Sequence, residues 1–153
     1  MAHQGFFSLQ SVQDLLAKAR SDLACLRANP TDPYLAYNFF VAARHVPDWI
    51  HPKNRKASKA LIDSYVELQV CRHLADGAKH LQLEATQHTQ VERTTESAGI
   101  FDSAIFDSAI FDTGRLIVEL SPKDAPALGL SSSVSALELA ELVMHRLDLI
   151  CAI

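Results

Sequence analysis

The chain has 153 residues, of which 48% are hydrophobic and 21% charged, with five Gly and six Pro. That composition suits a packed core and excludes a wholly disordered, low-complexity or collagen-like chain, and the length suits a single domain over 1–153. Fourteen Lys and Arg against eighteen Asp and Glu give a formal charge of −4, so no whole-molecule field favours nucleic acid or an anionic membrane, although a local basic patch stays open.

Ser11 with Asp14 three residues later forms a capping-box pattern, and Val12, Leu15, Leu16, Ala19, Leu23 and Leu26 follow at helical spacing. This predicts a first helix that stops at Asn29-Pro30. Asp32 before Pro33 restarts the chain as a second helix carrying Tyr34, Tyr37, Phe40 and Val41. Pro47 lacks an N–H and crowds the turn before it, so a kink or break is expected near Val46. The stretch from His51 to Lys59 holds four Lys or Arg between Lys53 and Lys59 and reads as a solvated basic loop. A third helical region is expected from Ala60 to about His80, weakened at its end by Gly77.

Beyond Leu83 the pattern changes. Thr89 to Thr95 is rich in β-branched residues, and Arg115 to Leu120 reads as a second strand entered through the turn Asp112-Thr113-Gly114. Between them stand three near-identical pentads with the core I-F-D-[ST], beginning at Gly99, Ala104 and Ala109. Three pentads do not close one circuit of a pentapeptide-repeat coil, which needs about four, so a lengthened hairpin loop is expected. Its Phe and Ile side chains would then offer an interface patch. Pro122, Pro126 and Gly129 mark a loop, and Ser135 with Glu138 opens a final helix that is apolar over most of its circumference. The fold expectation is therefore mainly α: a three- to four-helix bundle with a small antiparallel β-hairpin or meander, the 89–120 insertion, before the C-terminal helix.

Cys25, Cys71 and Cys151 contain no CxxC pair, which argues against a zinc ribbon or a disulfide framework and for a reducing compartment. No run approaches the ~18 apolar residues of a spanning helix. A cytoplasmic protein with no membrane partner is expected.

Two clusters could carry chemistry. Asn38, His45 and Asp48 fall on one face of the second helix beside Trp49, where an Asp can fix the tautomer of a neighbouring His for base catalysis or for a structural hydrogen bond. In the third helical region Arg72, His73, Asp76, Lys79 and His80 share an arc of roughly 120°. Such a face could bind an anion or move protons at phosphorus, or it could be an ordinary wet face whose cations complement the helix C-terminus. A metal site made of His73, Asp76 and His80 with His45 is opposed by Lys79 and Arg72 alongside, so no metal and no cofactor are expected.

These clusters resemble a family of short bacterial and phage-borne helical proteins with the patterns N-x3-[AT]-A-x-H-x2-D-W and C-R-x-[IL]-x-[ND]-G-[AS]-K-H. The matching residues are Asn38, Ala42, Ala43, His45, Asp48 and Trp49, then Cys71, Arg72, Leu74, Asp76, Gly77, Ala78, Lys79 and His80, over roughly residues 34–83. That family carries no established activity, so the resemblance bears on fold. More distantly, the chain is similar to HEPN-type helical ribonucleases, whose R-x4-6-H motif acts without metal. The resemblance implies Arg72 and His80 as the catalytic pair, supported by His45 and Asp48, with seven residues between Arg72 and His80 instead of four to six. Arg44 and His51 fit the spacing with six between, although Pro47 interrupts their helix.

The leading expectation is a small non-catalytic interaction protein that contacts a homo-oligomer or protein partner through the final helix, the pentads or both. His73, Asp76, Lys79, Asn38 and Trp49 are the candidate binding residues. The competing expectation is a metal-independent, HEPN-like ribonuclease with RNA as partner, in which Lys79 and the Lys53–Lys59 segment hold phosphate.

Overall fold

The structure is a computed structural model that describes residues 5–80, 88–97 and 114–152. Its elements in chain order are α1 (Val12–Ala28), α2 (Pro33–Ile50), α3 (Arg55–Asp63), α4 (Val66–Lys79), β1 (Val91–Ser97), β2 (Arg115–Leu120), α5 (Asp124–Ala127), β3 (Ser133–Ser135) and α6 (Ala136–Cys151). The chain is mainly helical with a small antiparallel sheet before the C-terminal helix, as the hydrophobic periodicity predicts. The pentads at 99–113 lie outside the described residues.

Helix α1 starts where its capping box predicts. The Ser11 side chain accepts from the Asp14 N–H while the Asp14 carboxylate accepts from the Ser11 N–H at 2.8 Å. Its Leu15, Leu16, Ala19, Leu23 and Leu26 are buried. Helix α2 starts at Pro33 under an Asp32 cap.

Three local expectations are corrected. Helix α2 runs unbroken through Pro47 to Ile50. Pro47 stands one turn from the helix end, its carbonyl accepts the His51 N–H at 3.1 Å, and its ring is fully buried, so packing offsets the one missing hydrogen bond. The basic segment is a turn only over 51–54, because Asn54 accepts the Ala57 N–H at 3.0 Å and caps α3, which begins at Arg55. The region from Ala60 to His80 is two helices instead of one. Ser64 Oγ turns back to the Ala60 carbonyl at 2.7 Å, Tyr65 is extended, and the Gln69 amide covers the Asp63 carbonyl at 2.9 Å, so the break leaves few backbone groups bare. Gly77 does not end α4, which continues to Lys79.

Strands β1 and β2 form a hairpin with Thr94 opposite Val118 and a bulge between Val91 and Arg93. The short β3, unread in the sequence because three residues of Ser-Val-Ser carry little pattern, pairs with the other edge of β2 through Val118 and Val134. The sheet order is thus β1-β2-β3. Leu116, Val118 and Leu120 are buried on one face of β2, whereas β1 is exposed after Val91. Helix α6 is central: Leu139, Ala140, Val143 and Leu147 are fully buried, and it packs against α1, α2, α4 and the sheet. Among the described residues, no helix is long and apolar enough to cross a membrane.

Candidate functional site

The end of α2, the turn after it, α3 and the middle of α4 border a recess of about 320 Å³ lined by Arg44, Asp48, His51, Lys53, Asn54, Arg55, Ser58, Lys59, Ile62 and Arg72. Five cations therefore face one carboxylate in a chain of net charge −4. The continuity of α2 through Pro47 brings Arg44 and His51 to the same recess, and the Asn54 cap turns Lys53, Arg55 and Lys59 toward it. Lys53 has φ of 65°, a left-handed conformation that costs a side-chain-bearing residue about 1–2 kcal/mol. Strain of this kind is commonly held at functional positions.

Arg72 forms the floor. It is only 4% exposed, and its Nη1 donates to Asp63 Oδ1 at 2.9 Å, while Asp63 also pairs with Lys59. The Lys59 and Arg72 contacts hold the Asp63 carboxyl below its ordinary range. Among the described residues, neither Arg72 Nε nor Arg44 Nε has a hydrogen-bond partner, although both are buried. Arg44 donates through Nη1 to Asp48 at 3.2 Å, and its Nε stands 4.0 Å from Asp76, beyond hydrogen-bonding reach. Leaving buried donors unmatched costs about 1–3 kcal/mol each, more for charged groups, which is why such donors deserve a reason.

Asp48 ties the recess together. Ser58 Oγ donates to one carboxylate oxygen at 2.5 Å, and Arg44 and His45 Nδ1 approach the other at 3.2 Å each. Burial pushes this carboxyl up, yet the Ser58 hydrogen bond, the Arg44 charge and His45 together hold it below the ordinary value. His45 Nε2 lies 2.7 Å from the Lys79 ammonium. Lys79 can only donate, so His45 carries its proton on Nδ1 and clips α2 to α4.

A second polar group adjoins it. Asp76 pairs with His88 at 3.2 Å, the His88 ring stands against His73 with centroids 5.2 Å apart, and His73 Nδ1 accepts the Val91 N–H at 3.2 Å. Burial, then the neighbouring His88, lowers the His73 pKa, and burial likewise lowers that of His88 against the pull of Asp76. His73 is therefore a neutral acceptor that anchors β1 to α4.

The sequence-predicted residues separate accordingly. His45 and Asp48 meet as their spacing implies. Arg72, His73, Asp76 and Lys79 do share one flank of α4; Arg72 is buried and His73 and Asp76 are partly buried against neighbouring elements, while Lys79 is exposed, so the wet-face alternative describes only the end of the flank. His80 is the exposed cap residue of α4 and joins neither group, about 12 Å along the axis from Arg72. Asn38 is exposed on α2, and Trp49 is half-buried against the core. Among the described residues, no three His, Cys, Asp or Glu side chains are placed to hold a metal ion. Ser58, Asp63 and His88 were missed because their partners Asp48, Arg72 and Asp76 lie 9 to 12 residues away on other elements, a separation that periodicity does not register; the Lys59–Asp63 pair at i, i+4 was the one signal available. Comparison with family models, curated proteins and solved structures gives no match.

Proposed function

We propose that this is a non-catalytic interaction protein that recognises its partner through an anionic group seated in the α2–α3–α4 recess. The observation that carries the reading is the buried Arg72 guanidinium with a donor unmatched among the described residues, at the floor of a cation-lined recess. Forked guanidinium groups are suited to the paired oxygens of phosphate-like ligands. Recognition would run through this recess more than through α6, whose apolar face already covers α1, α2 and α4. Homo-oligomer contacts remain part of the same interaction reading.

The non-catalytic part rests on chemistry. Ser58, Asp48 and His45 are in contact, but the carboxylate stands between the hydroxyl and the imidazole, so His45 cannot take the Ser58 proton. The carboxylate itself, held below its ordinary pKa, is a weak base. Cys71 is fully buried, and burial pushes its thiol up to about 12, leaving no thiolate at neutral pH.

A metal-independent ribonuclease acting through Arg72 and His80 is the competing reading, and the exposure of His80 outside the recess that Arg72 lines weighs against it. Arg44 and His51, which line one recess, are the pair this reading would now use. Titration with inorganic phosphate at low ionic strength tests the binding proposal, with saturable binding expected and its absence at millimolar phosphate contradicting it. Incubation of RNA with the protein in EDTA tests the alternative: intact RNA is expected, and cleavage lost in His51→Ala would replace the binding reading with the catalytic one.

A further inference from the structure

Resting on the reading of the recess as an anion site, we infer that it takes a terminal phosphate monoester, a compact dianion with a single substituent, instead of an internal phosphodiester. The depth of the floor is the first ground. Arg72 is 4% exposed and lines a recess of about 320 Å³ with Lys53, Arg55 and His51, so a ligand must enter the recess to approach its guanidinium, and a phosphate at a chain end can enter without the chain continuing beyond it.

Charge is the second ground. A phosphate monoester carries about −1.5 to −2 at neutral pH with three strong acceptor oxygens, whereas a diester carries about −1. Five cations against Asp48 and against Asp63, which pairs with Lys59 and Arg72, leave an excess of three positive charges suited to the larger charge. One of them, Arg72, keeps a buried Nε donor unmatched among the described residues. Outside the recess the chain is acidic on balance, so an extended polyanion gains little beyond this one spot. The first turn of α3 adds a third ground. The Asn54 cap satisfies Ala57 N–H, while the amides of Arg55 and Lys56, at the first two positions of α3, have no intrahelical acceptor and carry the positive end of the helix dipole.

The experiment follows the Arg72 Nε–H and the Arg55 and Lys56 amides by two-dimensional 1H–15N NMR of the intact chain. The probes are inorganic phosphate, methyl phosphate, dimethyl phosphate and a short oligoribonucleotide with hydroxyl ends. Methyl phosphate and inorganic phosphate are expected to move all three signals saturably, with dimethyl phosphate and the oligoribonucleotide about tenfold weaker or worse. Tightening between pH 5 and 7 is also expected as the second phosphate proton, with pKa near 6, departs. Equal affinity for dimethyl phosphate or the oligoribonucleotide overturns the monoester assignment and leaves the anion site standing. Absence of any shift with all four probes overturns both. The exposed double variant Lys53→Ala/Arg55→Ala keeps the fold intact and should lose about tenfold or more in methyl phosphate affinity. Unchanged affinity in that variant also overturns the assignment.

Discussion

At the scale of single residues, His45 and His73 act as hydrogen-bond acceptors that tie neighbouring elements together. His73 accepts the Val91 N–H and is held neutral by burial and by His88. Its folded pKa lies below the unfolded one, so its contribution to stability is complete above about pH 6.5 and is lost as pH falls through the folded value. Urea unfolding measured from pH 7.5 to 5 should show declining stability, and His73→Asn, which keeps an acceptor but cannot titrate, should flatten that decline. An unchanged slope in the variant would place the pH sensitivity elsewhere. Lys53 offers a second residue-level prediction. Its left-handed backbone makes Lys53→Gly stabilising by up to about 1 kcal/mol by thermal unfolding, while phosphate affinity falls because a cation is removed. Loss of both stability and affinity would mean that the lysine side chain, and not the backbone conformation, holds the turn.

At the scale of elements, the recess depends on a helix whose first five residues, Arg55 to Lys59, read as a loop in the charge pattern. Asn54 caps α3 and thereby fixes where Arg55 and Lys59 stand. Asn54→Ala should cost about 1 kcal/mol in chemical denaturation and weaken phosphate binding with it, whereas a stability loss with unchanged affinity would detach the cap from the site. Helices α1 and α6 were legible because Ser11-Asp14 and Ser135-Glu138 are reciprocal caps followed by long apolar periodicity. Helix α3 was not, because Asn54 has no acidic residue at Ala57 to answer it, and only Ser58 and Ile62 of its nine residues are buried. The break at Ser64 depends on a side chain turning back to the Ala60 carbonyl, a choice no spacing rule encodes. Likewise the His45–Asp48 contact was legible at i, i+3, while Ser58–Asp48 and Arg72–Asp63, which join different helices, were not.

At the scale of the whole molecule, a chain of net charge −4 gathers five cations around one recess, so the binding field is local and surrounded by opposite charge. Association with a phosphate-bearing partner should therefore weaken with added NaCl, since exposed charges are screened over about 10 Å at 0.1 M. Ligand binding to the native state also raises stability by mass action, by about 1.4 kcal/mol at ten times the dissociation constant. Phosphate should accordingly raise the melting temperature of the wild type but not of Lys53→Ala/Arg55→Ala. An equal rise in both would mark a general salt effect. The most direct test of the recess is calorimetric titration of the intact chain with inorganic phosphate, run beside Arg72→Lys, which keeps the charge but removes the forked donor. One saturable site in the wild type, about tenfold weaker in the variant at matched secondary structure, is the predicted result; equal affinity in the two proteins, or no heat in either, would contradict it.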